Sequence, residues 1–402
     1  MNIMEIKNTD IRYIISKIEK ELSSNDKIFY KNGNEVGISN GVLGLSLFYY
    51  YYYLLTKEEW CIEKIMKYFN VSINSINSEY KGSFIILDII EIVHFFYFLK
   101  DKGLITENIN EYCKFYDPWV NQFLDIKLSE NDLDPYGGIV RAGVYWIQRS
   151  EDIDIYAYLN KILSCIERQI IHENDNELYF DYRFYVNENR NAIEYGKGHG
   201  MAGIIYFLLR VYKKGMFQQR CYKLLIPALE FLSNKKYQVG INLFPFDLNE
   251  TQKLNYSNLA YGDLGIAYTF YHAGEILQQE KFKRIGVDTM KNIAKFTDDE
   301  SRKIFDASLL YGAAGIYSIF KLFDGYNKDI SFEEASNYWF NKIVDFGNND
   351  TTWAGYNTYH NGYLEYLQLN FQQGICGIGI TMICKELNIP LDYLKFLDYN
   401  FI

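Results

Sequence analysis

The chain has 402 residues, of which 49% are hydrophobic and 23% charged, values typical of a packed globular protein. Its net charge of −10 argues against a nucleic-acid partner, because an acidic surface is repelled by phosphates. The N-terminus has no basic region or cleavage site of a signal peptide, and the aromatic run from Ser46 to Leu55 is too short to cross a bilayer. We therefore expect a cytoplasmic protein without a transmembrane segment.

A short pattern recurs along the chain: a glycine, two small or apolar residues, often a second glycine, and then an apolar run. Its copies begin at Gly41, Gly82, Gly138, Gly200, Gly262, Gly312 and Gly374. The copies lie 41 to 62 residues apart, and repetition at this scale indicates an array of helical units. The small number of prolines, 5 in all, is typical of a mostly helical chain.

Each copy predicts an inner helix, and the amphipathic segments between copies, such as Ile153 to Ile171 and Cys221 to Lys236, predict outer helices. About seven inner and seven outer helices closed into a ring give an all-α fold, the α/α toroid, as one domain over residues 1–402. An open solenoid is the alternative, but neither end of the chain resembles a polar capping repeat. Residues 81–127 are the least regular and leave room for a small insertion.

Long polar and aromatic loops precede three of the copies, at residues 174–198, 236–260 and 348–373. Loops of this length in a compact domain are usually functional. In a ring, the N-termini of the inner helices converge at one end, where N–H groups and positive helix dipole ends accumulate. We expect the functional residues there.

His199 is the histidine best placed for chemistry. It directly precedes Gly200 in GKGHGMAG, at the start of an inner helix, where an imidazole can exchange protons near neutral pH. His94 lies in an apolar run and is expected in the core, whereas His360 lies in a loop and stays a candidate.

In order along the chain, these motifs resemble the LanC-like lanthipeptide cyclases. GKGHGMAGI is the most specific match, and LDPYGGIV, NLAYGDLGIAY and SLLYGAAGIYS are similar to further blocks of that family, from about Gly37 to the C-terminus. The resemblance implies an α/α toroid that adds a cysteine thiol to dehydroalanine or dehydrobutyrine in a ribosomally made precursor peptide. It also implies a dehydratase and an export transporter as partners, and through them a peripheral place at the membrane.

In most members of that family, a zinc ion held by two cysteines and a histidine converts the thiol into a thiolate. This chain departs from the pattern at all three ligands. Ala260 occupies the position of the first cysteine ligand. Leu310 and Tyr311 occupy the positions of the second cysteine and the histidine. We therefore predict no metal and no other cofactor.

The predicted catalytic residues are His199, Asp134, Tyr261 and Tyr311. The resemblance implies proton transfer by His199 and Asp134, and a tyrosine hydroxyl could donate to the developing enolate oxygen. The predicted substrate-binding residues are Arg141, Asp263, Tyr256 and His360. Asp263 would also suit the first turn of a helix as a cap, and Arg141 could simply neutralise Asp134.

Two functions of different class fit these residues. The first is zinc-independent formation of thioether (lanthionine) rings, and the second is an inactive LanC-like protein that binds peptide or scaffolds a biosynthetic complex. A glycosidase on the same fold would need two facing carboxylates, for which Asp134, Glu194 and Asp263 are available. The order of the motifs favours the cyclase family over the glycosidase.

Overall fold

The computed structural model describes residues 10–31, 36–82, 84–187, 190–249, 257–296, 303–347, 353–359 and 364–399. The helices are α1 (Ile11–Asn25), α2 (Ile28–Lys31), α3 (Leu43–Thr56), α4 (Trp60–Asn74), α5 (Ile85–Asp101), α6 (Ile109–Glu130), α7 (Ile139–Arg149), α8 (Tyr156–Arg168), α9 (Met201–Lys213), α10 (Gln218–Asn234), α11 (Asp263–Leu277), α12 (Glu280–Lys295), α13 (Ala313–Tyr326), α14 (Ile330–Phe346), α15 (Glu365–Leu369) and α16 (Ile375–Leu387). Two short 3₁₀ helices cover Trp353–Gly355 and Asp392–Leu397.

The chain forms two compact units. The first contains the described residues up to Ile92 and those from Ile304 onward, and the second contains those from Val93 to Lys303. The prediction of a single domain stays a prediction. Residues 81–127, the segment that leaves room for a small insertion, hold α5 and most of α6.

Inner and outer helices alternate in both units. In the second unit α9 is buried from Met201 to Val211, and it packs against α7, α10 and α11. The outer helices α8, α10 and α12 bury one face each. In the first unit α16 is likewise buried and packs against α1, α3 and α13. A helix surrounded by others carries no polar face, which explains the apolar runs behind the glycines.

The glycines of the repeated pattern are required because the preceding loop folds back onto them. A Cβ added at Gly200 would lie 2.3 Å from the carbonyl oxygen of Glu194, and one at Gly203 would lie 2.3 Å from that of Lys197. The same contact, six residues upstream, is made by Gly374 with the carbonyl of Gln368. Since φ at Gly200 is −132°, close approach and not backbone handedness excludes a side chain here.

Two antiparallel β-hairpins correct the prediction for the region after α8. The amphipathic helix expected to reach Ile171 ends at Arg168, and β1 (Ile170–Asn174) pairs with β2 (Glu177–Phe180). Within the predicted loop at 174–198, β3 (Phe184–Asn187) pairs with β4 (Arg190–Ala192). The helical period in the sequence continues past the real helix end because the first strand residues are also apolar.

The turn before α3 is held by two buried carboxylates of α5. Asp88 Oδ2 accepts the backbone N–H of Val36 at 2.6 Å, and Glu91 Oε2 accepts that of Ser39 at 2.9 Å. Burial, and then the neighbouring charge of Glu91, raise the pKa of Asp88 to about 7.

In the part of the chain that the structure describes, no helix combines the length and the apolar character needed to span a membrane. All six cysteines are buried free thiols.

Candidate active site

Asp134 lies in the turn that leads into α7 and is held there by backbone donors. The N–H of Gly137 donates to Asp134 Oδ2 at 3.0 Å, and the turn closes where Ile139 N–H donates to the carbonyl of Asp132 at 2.8 Å. A carboxylate at the start of a helix is favoured by the helix dipole. The turn therefore holds the Asp134 side chain through Oδ2. Its second carboxylate oxygen is Oδ1.

His199 meets that second oxygen. Its Nδ1 lies 3.0 Å from Asp134 Oδ1, and the two side chains are 16% and 9% exposed. Because a carboxylate accepts and does not donate, Nδ1 carries the proton and Nε2 is left as the basic nitrogen. The predicted pair of His199 and Asp134 is thus brought together, across 65 residues of sequence.

Glycines bring the two turns close enough for this contact. Gly198 donates its N–H to the carbonyl of Ala260 at 3.1 Å, and a Cβ at Gly198 would lie 2.7 Å from that oxygen. A Cβ at Gly203 would lie 2.6 Å from Cγ of Pro135. The GKGHGMAG motif therefore seats His199 between the turn of Asp134 and the turn before α11.

Tyr261 lies beside this pair. Its ring centroid is 6.1 Å from that of His199, and the ring of Tyr136 lies 5.8 Å from His199 on the α7 turn. The backbone before Tyr261 is fixed because Asn258 Oδ1 accepts the N–H groups of Ala260 and Tyr261 at 3.1 and 2.9 Å. The structure thus places three of the four predicted catalytic residues together.

A surface pocket of about 430 Å³ adjoins Asp134. Its lining residues are Glu130, Asn131, Asp132, Asp134, Gln169, Asp181, Tyr182 and Arg183. Burial, and then the charges of Asp134 and Asp132, raise the pKa of Tyr182 well above its usual value, so its hydroxyl remains a donor. The sequence analysis missed Tyr182, which lies in the connection between two hairpins that no helical pattern could reveal.

Two predicted substrate-binding residues are buried near helix starts. Arg141 is 5% exposed in the first turn of α7. Asp263 is fully buried, and its two oxygens accept the N–H groups of Leu243 and Phe244 at 2.6 and 3.1 Å. These contacts anchor the preceding loop on α11. The roles of both residues in substrate binding stay predictions.

Three predicted residues remain. Tyr311, the fourth predicted catalytic residue, belongs to the first unit, where it directly precedes the Gly312 cap of α13. The two positions Tyr256 and His360 lie outside the described residues.

The side chains at the three positions where the resemblance implies zinc ligands do not fit that metal. A methyl at Ala260, an isobutyl at Leu310 and a neutral phenol at Tyr311 replace two thiolates and an imidazole. Within the described ranges, no group of three or more His, Cys, Asp or Glu side chains is placed to hold a metal ion. No step of the chemistry considered below passes through zinc.

Comparison with known proteins agrees with this arrangement of motifs. The model of the family described as "Lanthionine synthetase C-like protein" matches residues 32–388, which is most of the chain. The chain belongs to this family. A comparison of this LanC-like chain with curated protein sequences finds no match.

Among solved structures, the LanC-like chain is similar to nisin cyclase, with a TM-score of 0.71 at 16% identity, over 96% of this chain and 97% of that one. At this identity the likeness shows the fold, and it confirms the all-α prediction of an α/α toroid. A sugar epimerase from a ruminal bacterium and the cellobiose 2-epimerase from Bacillus thermoamylovorans B4167 each cover 94% of the chain at 11% identity. Their TM-scores of 0.42 and 0.44 are too low to support an inference about fold or function.

Proposed function

We propose that this LanC-like protein closes thioether rings in a dehydrated precursor peptide without zinc. Membership of the family and the fold of nisin cyclase support a peptide-modifying, cyclase-like role. The observation that supports the zinc-free reaction is the contact between His199 Nδ1 and Asp134 Oδ1 at 3.0 Å. A histidine oriented by a carboxylate is a general base that needs no metal.

The reaction balances with this pair alone. A cysteine thiol of the peptide gives its proton to Nε2 of His199, and the sulfur forms a bond to the β-carbon of dehydroalanine or dehydrobutyrine. The electron pair of the C=C bond moves to the α-carbon and its carbonyl oxygen as an enolate. The imidazolium then returns the proton to the α-carbon, so that the ring forms without any other reactant.

The surroundings of the pair suit this sequence of steps. Asp134 stabilises the imidazolium that forms in the first step, because its Oδ1 accepts from Nδ1. The Tyr261 hydroxyl is our candidate donor to the enolate oxygen. Holding the thiol and the alkene within one site lowers the barrier by converting an encounter between distant residues into a local one.

The direct test is a cyclisation assay on the purified full chain after treatment with a chelator. The probes are synthetic peptides in which dehydroalanine and cysteine are separated by about two to five residues, a range of small rings. Because the addition leaves the mass of the peptide unchanged, rings are counted by loss of alkylatable thiol and by tandem fragmentation. We expect ring formation above the uncatalysed rate, unchanged by added zinc. Dependence on added zinc would contradict the proposal.

A peptide-binding protein without catalysis is the second candidate. The observation that favours it is that Ala260, Leu310 and Tyr311 together replace the two cysteines and the histidine that the resemblance implies as zinc ligands. It predicts that the same peptides bind, as measured by fluorescence anisotropy, while their thiols remain alkylatable under every metal condition. The absence of both binding and ring formation, tested also with leader-containing peptides, would contradict both candidates.

A further inference from the structure

The hydrogen bond to Asp134 does not by itself fix the orientation of the His199 imidazole. Rotation about the bond that joins a histidine ring to its Cβ is broad and roughly two-fold, so one contact at Nδ1 holds the ring loosely. A half-turn about that bond would place Cδ2 where Nδ1 lies 3.0 Å from Asp134 Oδ1. A group that transfers protons must be held within about 0.5 Å and about 10 to 20° by its surroundings. Proton transfer by His199 therefore calls for a further contact on the ring.

Tyr136 makes such a contact. Its ring centroid lies 5.8 Å from that of His199, and the two ring planes meet at 67°. Aromatic pairs favour this edge-to-face geometry at centroid separations of about 4.5 to 7 Å. Both side chains belong to residues that are partly buried, so the contact forms where water has limited access to replace it.

The backbone of Tyr136 is fixed relative to His199. Asp134 Oδ1, the oxygen that faces the imidazole, also accepts the N–H of Tyr136 at 3.4 Å. Pro135, between the two, packs against the start of α9, where a Cβ at Gly203 would lie 2.6 Å from Pro135 Cγ. Because α9 is the helix that follows His199, the ring of Tyr136 and the imidazole are attached to two segments that pack directly on each other.

Tyr261 contacts the same imidazole in a different way. Its ring approaches from the turn before α11, with a centroid distance of 6.1 Å and an angle of 34° between the planes. The two tyrosine rings thus meet His199 at different angles and from different turns. With both rings in place, rotation of the imidazole away from Asp134 requires that two aromatic contacts be given up together with the hydrogen bond.

We propose that Tyr136 is a positioning residue, which holds the His199 imidazole with Nδ1 toward Asp134 and leaves Nε2 for the substrate. This assignment rests on the proposed function, in which His199 is the general base. The contact is made by the ring of Tyr136, so Tyr136→Phe should keep it and Tyr136→Leu should lose it. An aromatic pair of this kind shifts an equilibrium about two- to tenfold, and we expect effects of that size.

The tautomer of His199 tests the proposal without any assay of activity. In the full chain labelled with ¹⁵N-histidine, long-range proton–nitrogen NMR spectra show which ring nitrogen carries the proton, and His199→Ala identifies the signals of His199 among the five histidines. We expect the Nδ1–H form in the wild type and in Tyr136→Phe. In Tyr136→Leu the ratio of the Nε2–H form to the Nδ1–H form should rise about two- to tenfold, because an imidazole that turns away loses its bond to Asp134.

The rate of ring formation is the second measurement. Tyr136→Leu should lower kcat about two- to tenfold with little change in KM, and Tyr136→Phe should behave as the wild type. The matched control is Tyr156→Leu, which removes a ring contact with Phe217 at a centroid distance of 4.3 Å and should change neither the tautomer nor kcat. Thermal melting by circular dichroism shows whether each variant is folded, and Tyr136→Met replaces Tyr136→Leu if that variant does not fold.

The outcomes separate this proposal from the proposed function. A wild-type chain that forms no rings would contradict the function, whereas the tautomer ratios would still decide the role of Tyr136. An Nε2–H form in the wild type, an unchanged tautomer ratio in folded Tyr136→Leu, or equal effects of Tyr136→Leu and either Tyr136→Phe or Tyr156→Leu would each overturn the assignment.

Discussion

Two turns of this molecule share one pattern of hydrogen bonds but carry different side chains. Before α7, Ile139 N–H donates to the carbonyl of Asp132, and Asp132 Oδ1 accepts the N–H of Asp134 at 3.0 Å. Before α13, Ala313 N–H donates to the carbonyl of Asp306, and Asp306 Oδ1 accepts the N–H of Ser308 at 2.9 Å.

The difference that concerns His199 lies four residues before the glycine. In the α7 turn this residue is Asp134, whose second oxygen faces His199. In the α13 turn it is Ser308, whose buried Oγ has no hydrogen-bond partner among the described residues. The aspartate that both turns share therefore builds the turn, whereas the residue four before the glycine is where one turn gains the contact with His199. Each prediction below separates these two roles.

Removing the imidazole should have the largest effect. His199→Ala deletes the general base, so the rate of ring formation should fall about 10²-fold or more. The free energy of unfolding should change much less, because the turn before α7 is closed by backbone hydrogen bonds of Gly137 and Ile139 that remain in the variant. Rate is measured by thiol loss and stability by urea unfolding. An unchanged rate in a folded variant would contradict the proposed role.

Removing the shared aspartate of the other turn should act on stability alone. Asp306 accepts the N–H groups of Ser308 and Tyr359, the latter at 2.7 Å, and its side chain is buried. Asp306→Ala removes the acceptor of both N–H groups, of which that of Ser308 is buried, at a cost of about 1 to 3 kcal/mol. Urea unfolding measures the loss. A variant as stable as the wild type would show that the turn does not depend on this carboxylate.

Asp134→Asn should slow the reaction about tenfold, because one amide oxygen cannot accept from both Gly137 and Nδ1 of His199. The turn itself should survive, so stability should fall by no more than about 1 kcal/mol. Measuring rate and stability on the same variant distinguishes positioning from folding. A folded variant with a rate equal to that of the wild type would contradict a positioning role for Asp134.

The contrast between the turns also shows what sequence could predict. The repeated glycines predicted the fold class, because close packing of a loop on a helix start demands the same residue each time. GKGHGMAG pointed to His199 because an imidazole beside that cap is unusual. Asp134 was found through the resemblance, since its spacing from Gly138 could equally belong to a structural turn such as the one at Ser308.

Other features were beyond the sequence for physical reasons. Tyr182 approaches Asp132 and Asp134 from the connection between two hairpins, and a contact between segments distant in sequence leaves no periodic trace. Asp263 accepts the backbone N–H groups of Leu243 and Phe244, two contacts that could not be predicted from the sequence, and its role in substrate binding stays a prediction. A carboxylate at a helix start looks the same in sequence whether it holds a loop or a ligand.

The smallest effect is expected at Ser308, and it tests the comparison most finely. Ser308→Ala removes a buried hydroxyl that has no partner in the described structure, so the desolvation cost of that group disappears. Stability should stay unchanged or rise by up to about 1 kcal/mol, with ring formation unaffected. The matched change Asp134→Ala should lower both stability and rate, because Asp134 accepts from Gly137 and from His199. Ser308→Ala could also slow the reaction as much as is expected of Asp134→Ala. The residue four positions before the glycine would then take part in the chemistry of both turns, and the assignment of catalysis to the α7 turn alone would be wrong.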